Sequence, residues 1–414
     1  MKFINFSDDM ETNFIMNYET IENKIIQSIK KYNWEFLLKE LPLESILVGG
    51  YIRDLLLENS NQILDIDIVV PENAIEICKK ISKKFNCKFV ILDEIRNVGR
   101  IIFNDFVIDI AFRVGETIFE DLESRDFTIN SIGFHLNQRK IIDPQNGLID
   151  LNLLKLNCPN KNNLIEDPLR ILRFFRFYSE YNFEFEDSLI NFITENKKLL
   201  KEVATERIIY ELRKIFKSKR SLQSLLLMNE IKLFDWLQTY EHLSTKYISN
   251  VNFQRFTIKE VESFLPIYYL TEVLEEGAIK KLKFSRFEIS SSKVIKKWKK
   301  KLINKTIDQF TELERFELHS EMEKILPAFI FYLPFEDQNH WLVRWRDASD
   351  KLFHPRHLIN GNTLKKHLNL HDGPLLGNLL NYLSKEYAFE RINNFDEAIY
   401  EAGRWIQQNA PKCD

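Results

Sequence analysis

Residues 47–70 constrain this chain more than any other stretch, because they place two glycines and two acids in one short unit. Residues 46–48 are apolar and predict a buried strand. Gly49 and Gly50 end that strand, and without side chains they let the backbone approach a ligand closely. Residues 51–57 then predict a helix whose first N–H groups and dipole attract an anion. The unit therefore predicts an anion-binding turn.

The strand that follows this turn carries Asp65 and Asp67. Strand side chains alternate, so the two carboxylates share a face about 6.5 Å apart at about 3.3 Å per residue. An acidic pair within an apolar strand is costly unless a cation compensates it. Gly-Gly alone is usually an ordinary turn, and Asp-x-Asp alone often occurs by chance. Together in one strand–helix–strand unit they predict a divalent metal and a nucleotide.

Length and composition narrow the class of protein. A chain of 414 residues exceeds a single core and predicts two or three domains. Only 11 glycines and 11 prolines favour helix, and a net charge of −3 requires any nucleic-acid site to be a local patch. The four cysteines form no CxxC pair, which argues against zinc and disulfides and favours a reducing cytoplasm. The N-terminus lacks a signal-peptide pattern, and no apolar run reaches the roughly 18 residues of a membrane span.

Periodicity along the chain predicts a mixed α/β part followed by helices. The first 140 residues are expected to hold four or five strands. The predicted elements there are a helix at 18–41, a helix that starts at 71–73, a strand at 89–92, and a hairpin at 100–103 and 106–112. Residues 141–150 predict a connector that ends the sheet domain, and nearly everything beyond residue 205 predicts helix.

Further polar residues fall inside the first part of the chain. Asp109 lies in the second hairpin strand, either as a third catalytic carboxylate near the metal or as a sheet-edge acid paired with an arginine. The polar run 121–131 contains Arg125, a candidate phosphate contact, and Asn130, a candidate ribose or backbone contact. A helix cap followed by a strand explains that run equally well.

The stretch 166–177 predicts a helix with Asp167 as its cap. Arg170, Arg173 and Arg176 recur every three residues along one side of it. Three arginines on a largely apolar helix favour an anion such as a triphosphate over an internal salt-bridge network.

Asp167 and Arg170 also match the pairing edge of two nucleobases. Cytosine and adenine both present an amino donor beside a ring-nitrogen acceptor, and a carboxylate beside a guanidinium is complementary to that order. Uracil and guanine present the reverse order. The pair could therefore select C and A without a nucleic-acid template.

Two later features carry weaker signals. The lysine-rich run 296–301 is a candidate contact to a phosphate backbone, although such runs more often form a solvated face. His354, His357 and His371 lie in turns without helical i, i+4 partners, so they do not predict a metal site.

Five motifs occur in the order of a known family. They are Gly49-Gly50-x-x-Arg53-Asp54, Asp65-x-Asp67, Arg125-Asp126-x-x-x-Asn130, Glu166-Asp167-x-x-Arg170-x-x-Arg173 and Glu206-Arg207-x-x-x-Glu211. Over about residues 40–215 the chain resembles the class II tRNA nucleotidyltransferase and bacterial poly(A) polymerase family. Residues 355–361 also resemble the tail of some bacterial members.

The resemblance implies an α+β fold in three parts: a small nucleotidyltransferase-type mixed β-sheet head at 1–140, a helical neck at 141–218, and an all-α body and tail at 219–414 that bind the tRNA acceptor arm. It implies that Asp65 and Asp67 bind Mg²⁺, which would activate the tRNA 3′-hydroxyl and steady the leaving pyrophosphate. The residues that it places around the nucleotide are Gly49, Gly50, Arg53, Asp54, Arg125, Asp126, Asn130, Asp167, Arg170, Arg173 and Arg176.

The chain departs from the family pattern in places that bear on the product. Ser124 stands where the family usually has an arginine, Ser131 replaces an alanine, and residues 114–124 are shorter than the flexible loop of full CCA-adding members. The short segment favours addition of only CC from CTP, with CCA addition that also uses ATP, or poly(A) addition, as alternatives. A non-catalytic RNA-binding protein is the alternative from another class, and the intact Asp65 and Asp67 argue against it. The expected location is cytoplasmic, and the oligomeric state stays open.

Overall fold

The computed structural model describes residues 17–58, 64–237 and 252–409. The chain divides into two compact units, Met1–Val203 and Ala204–Asp414. That boundary falls within the predicted neck, and the division into head, neck and body remains a prediction. In the described ranges, no helix is both long enough and apolar enough to cross a membrane.

A seven-stranded mixed sheet lies at the centre of the first unit, in the order β3-β4-β5-β2-β1-β6-β7. The strands are β1 (Ile46–Val48), β2 (Leu64–Val70), β3 (Lys88–Asp93), β4 (Val98–Ile102), β5 (Phe106–Phe112), β6 (Gly133–His135) and β7 (Lys140–Ile142). β2 and β5 are parallel, and the other neighbours are antiparallel. The expectation of four or five strands is wrong, because β6 and β7 have three residues each and are too short to show alternation.

The helices of this unit are α1 (Tyr18–Lys31), α2 (Gly50–Leu56), α3 (Ala74–Phe85), α4 (Ile118–Glu123), α5 (Gly147–Asn152), α6 (Asn163–Glu166), α7 (Leu169–Glu180) and α8 (Asp187–Asn196). Short 3₁₀ helices occur at Glu35–Glu40, Thr128–Asn130 and Lys197–Glu202. The helix predicted at 18–41 ends early, because Asn33 adopts a left-handed φ of 52° that stops it. The predicted connector at 141–150 starts inside β7 instead of after the sheet.

The two faces of the sheet differ in chemistry. α3 packs on β4 so closely that a Cβ on Gly99 would lie 2.7 Å from the Sγ atom of Cys78. Gly99 aligns through β5 with the buried Ile68 of β2. Because strand side chains alternate, Asp65 and Asp67 point to the opposite face, away from α3. The sheet thus buries its apolar side and leaves the acids on the other.

The described residues of the second unit form helices and no strands, and together with the sheet they confirm the α+β class. Its helices are α9 (Thr205–Lys217), α10 (Ser221–Glu230), α11 (Ile258–Val273), α12 (Glu276–Lys281), α13 (Arg286–Asn304), α14 (Glu312–Met322), α15 (Leu326–Ile330), α16 (Phe335–Arg346), α17 (Gly361–Leu368), α18 (Pro374–Ala388) and α19 (Phe395–Asn409). Reciprocal capping boxes begin α11, α13 and α14, which explains why these helices start where they do.

The lysine-rich run 296–301 lies on α13, where its charges meet acids of neighbouring helices. Trp298 is buried. Lys297 pairs with Glu321 at 2.6 Å, and Lys299 pairs with the buried Glu272 at 2.6 Å. These two ion pairs link α13 to α14 and α11, a structural role that the composition of the run did not predict.

Candidate active site

The turn between β1 and α2 has a conformation that only glycine adopts readily. Gly49 has φ 72° and ψ −129°. A Cβ at this position would lie 3.2 Å from Nη1 of Arg125 and 3.8 Å from Oδ2 of Asp67. The glycine turn, the candidate phosphate contact and one acid of the predicted metal pair therefore meet at one place.

Asp67 lies in the middle of a row of residues across the sheet. It is opposite Val48 on β1 and opposite Asp109 on β5, one strand further from β1. Burial first, and then the charges of Asp65 and Asp109, raise the pKa of Asp67 to about 6, against the opposing effect of Arg125 and Arg173. Three acids on adjoining positions repel one another, which is the situation that a bound cation relieves.

Asp109 already has a cationic partner. Nε and Nη2 of Arg100 donate hydrogen bonds to its two carboxylate oxygens at 2.7 and 2.8 Å. The strand that carries it, β5, is interior, so the pairing with an arginine occurs but not at a sheet edge. Within the described residues, no group of three or more His, Cys, Asp or Glu side chains is arranged to hold a metal. The role of Asp109 as a catalytic acid remains a prediction.

A buried polar chain connects the glycine-turn helix to α7. Arg53 on α2 donates a hydrogen bond to Oδ1 of Asn130. Asn130 donates to Oδ1 of Asp126 at 2.8 Å, and Nε of Arg173 on α7 donates to Oδ2 of the same carboxylate at 2.6 Å. Burial raises the pKa of Asp126, but the charge of Arg173 and the hydrogen bonds from Asn130 and Arg173 outweigh it and lower that pKa to about 2.

Arg53 extends this chain in the other direction. Its Nε donates to Oδ1 of Asp54 at 2.9 Å, and the hydroxyl of Tyr181 donates to the same oxygen at 2.8 Å. The Arg53 guanidinium also lies over the Phe177 ring, 4.9 Å from its centroid. Arg53, Asp126 and Asn130, all predicted nucleotide contacts, are thus buried and hydrogen-bonded inside the protein. Their contact with a nucleotide remains a prediction.

Arg125 differs from these buried residues. Its Nη2 and Nε donate to Oδ1 of Asp121 at 2.9 and 3.2 Å, which holds the guanidinium beside the glycine turn. Ser124, which stands in the place of a family arginine, donates instead to the Asp121 carbonyl. A guanidinium in this position could still donate hydrogen bonds to a phosphate bound at the turn.

The helix predicted at 166–177 is divided in two. Asp167 ends α6, and Pro168 is the residue before α7, so Asp167 is not the cap of the arginine helix. Proline constrains the residue before it to extended backbone, which explains the break. Asp167 lies three positions before Arg170, whose Nη1 donates to the Asn163 carbonyl at 3.1 Å.

The three arginines of α7 do not share one environment. Arg173 pairs with Asp126, as described above. Arg176 is buried, 3.6 Å from Glu180, with its guanidinium 4.4 Å from the Phe177 ring centroid. For these two residues the structure provides the internal network that was the alternative to an anion, and their triphosphate contacts remain a prediction.

Three partners in this region escaped the sequence analysis. Asp121 lies four residues before Arg125 on a helical stretch, so helical spacing would have indicated the pair. Arg100 faces Asp109 in the predicted hairpin, and the cross-strand register would have indicated that pair. Nothing in the local sequence marks Tyr181 as the partner of Asp54.

Two models of known protein families match parts of this chain. A mixed sheet with acids beside a glycine turn, followed by helices, agrees with the α+β, nucleotidyltransferase-type fold that the sequence predicts. The family model "Poly A polymerase head domain" matches residues 102–157, and "Probable RNA and SrmB-binding site of polymerase A" matches residues 182–241. These matches confirm the predicted resemblance to the poly(A) polymerase and tRNA nucleotidyltransferase family over the matched residues.

Similar proteins extend the match over most of the chain. A CC-adding tRNA nucleotidyltransferase of Synechocystis is 28% identical over 403 residues, 88% of this chain and 94% of that protein. The CC-adding tRNA nucleotidyltransferase of Geobacter sulfurreducens is 34% identical over 167 residues, 40% of this chain and 38% of that protein. The Thermotoga maritima CCA-adding enzyme complexed with tRNA is 23% identical, with a TM-score of 0.69, and the match covers 94% of this chain and 98% of that one. The last comparison confirms the fold.

Proposed function

We propose that this protein is a template-independent tRNA nucleotidyltransferase that adds cytidine from CTP to the 3′ end of tRNA. The observation that carries the proposal is the environment of Asp67. This carboxylate lies next to the Gly49 turn, and burial together with the negative charges of Asp65 and Asp109 raises its pKa. An acid cluster of this kind next to a phosphate-binding turn suits the metal-dependent transfer of a nucleotidyl group. The relatives with matching sequence carry names of the same reaction class.

The donor set fits a hard divalent cation, because it consists of carboxylate oxygens on one face of β2. We assign Asp65 and Asp67 as the ligands and Mg²⁺ as the metal. Bound there, the metal would activate the tRNA 3′-hydroxyl and neutralise charge on the leaving pyrophosphate. The protein itself would orient the triphosphate with the backbone of the Gly49 turn and with the guanidinium of Arg125.

The base would be selected by Asp167 and Arg170. The carboxylate accepts from the exocyclic amino group of cytosine, and the guanidinium donates to the ring nitrogen and carbonyl. The hydrogen bond from Arg170 to the Asn163 carbonyl limits the positions that its guanidinium takes. Replacement of Asp167 with Ala is therefore expected to lower the preference for CTP over UTP, measured as the ratio of kcat/KM for the two nucleotides.

We infer CC addition rather than CCA addition from the segment between β5 and α4. The Val114 N–H donates to Asp121 at 3.0 Å, and the Glu116 N–H donates to Glu120 at 2.6 Å. Gly115 between them has φ 75°, and a Cβ there would lie 2.2 Å from the Glu120 carboxylate. A short segment with these internal hydrogen bonds differs from a long flexible loop that switches a pocket from CTP to ATP. The name of the Synechocystis relative agrees with this inference.

A product-length assay tests both levels of the proposal. The full chain is incubated with Mg²⁺, labelled CTP or ATP, and tRNAs whose 3′ ends lack the whole CCA sequence, carry one C or carry two. We expect growth to stop after two cytidines, with no AMP incorporation into the tRNA that already carries both. A finished CCA end would contradict CC addition alone, and long adenylate tails would indicate a poly(A) polymerase.

The same assay separates an enzyme from a non-catalytic RNA-binding protein. If the wild-type chain binds tRNA but incorporates neither nucleotide, the enzymatic proposal is wrong. A location in the cytoplasm, where tRNA and nucleoside triphosphates are available, is part of the proposal and follows from the cysteine usage alone.

A further inference from the structure

Arg100, Asp109 and Asp67 lie side by side on three adjoining strands. Arg100 on β4 is directly opposite Asp109 on β5, and Asp109 is directly opposite Asp67 on β2. Residues directly opposite one another in a sheet project to the same face, with Cβ atoms roughly 5 Å apart. Only strand β5, which carries Asp109, therefore separates the arginine from a residue assigned to the metal.

The contact between Arg100 and Asp109 uses both oxygens of the carboxylate. Two nitrogens of the guanidinium donate to Oδ1 and Oδ2 at 2.7 and 2.8 Å, in the bidentate arrangement that is strongest for this pair. The Asp109 side chain is 17% exposed, whereas Arg100 is 36% exposed. The arginine is the more exposed partner, and it pairs with an acid that lies directly opposite Asp67 in the sheet.

We infer that Arg100 is a positioning residue that keeps Asp109 out of the metal's coordination shell. This inference rests on the proposed function. It leaves a site with two carboxylates, Asp65 and Asp67, and with open positions for water and nucleotide oxygens. Mg²⁺ sites that act on nucleotides commonly have one or two carboxylates and complete their shell with phosphates. Arg100 thereby makes metal binding depend on the incoming nucleotide.

A purely structural ion pair between β4 and β5 would have different consequences. Loss of such a pair would lower the stability of the sheet and leave the number of ligands on the metal unchanged. Loss of a positioning residue would free a third carboxylate next to Asp67. The metal would then bind more tightly without nucleotide and would lose one of its water ligands.

The experiment uses Mn²⁺ as a probe, bound to the full chain without nucleotide. Free Mn²⁺ is counted by electron paramagnetic resonance, and bound water is counted from deuterium modulation in D₂O. Arg100→Ala is expected to tighten Mn²⁺ binding by at least roughly fivefold, because it uncovers one negative charge near the metal. The same variant is expected to lose one water ligand.

A set of variants makes the cause identifiable. Asp109→Asn alone leaves Arg100 unpaired beside the metal and should weaken Mn²⁺ binding. In the double variant Arg100→Ala with Asp109→Asn, the two positions together carry no net charge, as in wild type. Its Mn²⁺ affinity and number of bound waters should therefore equal those of wild type. Arg100→Lys keeps the charge with a single contact and should fall between wild type and Arg100→Ala.

Arg96→Ala is the matched control. It removes the same kind of side chain from the turn between β3 and β4, where the exposed Arg96 is 3.9 Å from Asp93. Its Mn²⁺ affinity and water count should equal those of wild type, and thermal unfolding of each variant verifies the fold.

The outcomes distinguish the inference from the function on which it rests. If wild type binds Mn²⁺ and Asp67→Asn abolishes that binding, but Arg100→Ala changes neither affinity nor water count, the positioning role is wrong and the proposed function stands. If Asp67→Asn leaves Mn²⁺ binding intact, the metal assignment itself is wrong, and the inference falls with it.

Discussion

Asp67 and Asp126 lie in the same unit, but their pKa values are shifted in opposite directions from the ordinary value. The pKa of Asp67 is raised to about 6, by burial and then by the charges of Asp65 and Asp109. The pKa of Asp126 is lowered to about 2, because Arg173 and Asn130 outweigh the effect of burial. The residue type is the same, so the difference comes from the partners that the fold supplies.

The comparison separates a site for a ligand from a structural contact. Around Asp126, the protein provides an arginine, an amide and a backbone N–H, from Phe127, and these satisfy the carboxylate completely. Around Asp67, the nearest charges on the sheet are acids, which a folded protein retains at a cost. A bound cation would compensate this cost, which supports our proposal that β2 carries the metal ligands.

Loss of the carboxylate at the reactive position should have the largest effect. Asp67→Asn is expected to reduce CMP incorporation at least about a thousandfold, since a metal contributes several kcal/mol to transition-state stabilisation. Binding of tRNA, measured by filter retention, should change little. Asp105→Asn, in the exposed turn between β4 and β5, makes the same substitution and should keep full activity. Substantial incorporation by Asp67→Asn would remove this residue from the metal site.

Loss of the partner at the structural position should mainly affect stability. Arg173→Met leaves the buried Asp126 without its ion pair and is expected to cost about 2 to 4 kcal/mol in the free energy of unfolding. Urea unfolding measures the change. The double variant with Asp126→Asn should recover part of the loss, because no charge is then left buried. Strictly additive effects of the two substitutions would show that the pair is not coupled.

The two carboxylates should also give opposite pH dependence in metal-free protein. The pKa of Asp67 is above the ordinary 3.8, so its contribution to stability is complete below pH 3.8 and is lost as the pH rises through 6. The pKa of Asp126 is below 3.8, so its contribution is present above that pH and is lost as the pH falls through 2.

Stability of the Asp67→Asn variant in EDTA measures this difference. The variant is expected to be more stable than wild type at pH 7.5, by about 1 to 2 kcal/mol, because it removes a carboxylate that ionises with difficulty. The gain should disappear near pH 4. A variant that is less stable than wild type at pH 7.5 would show that nearby cations already compensate Asp67 without metal.

The smallest effect is expected at the far end of the polar chain. Tyr181→Phe removes the hydroxyl that donates to Asp54 and should cost about 0.5 to 1.5 kcal/mol in the free energy of unfolding. Tyr178→Phe is the matched control, since that ring stacks on Phe174 and lies near Phe185. An equal loss in both variants would mean that the Asp54 contact contributes nothing specific.

Much of this fold follows from local patterns. The helix after the glycine turn, the hairpin strands and the two acids on one face of β2 agree with the prediction, because periods of 3.6 and 2 are properties of the local chain. The resemblance to the family also followed from the order of the motifs, since the spacing of glycines, acids and arginines can be recognised in the sequence alone. Local patterns left a strand at β6 as one of two alternatives and did not predict β7, because strands of three residues are too short to show a period.

The sequence by itself determined where the glycine turn, Asp65 and Asp67 lie relative to one another, because they belong to one strand–helix–strand unit. Only the tertiary structure decided which polar residues far apart in the chain are partners. Arg53 meets Asn130 across 77 positions, and Asp126 meets Arg173 across 47. Such pairs form where the chain packs against itself, and their charges then determine which acids stay satisfied and which remain available to a metal.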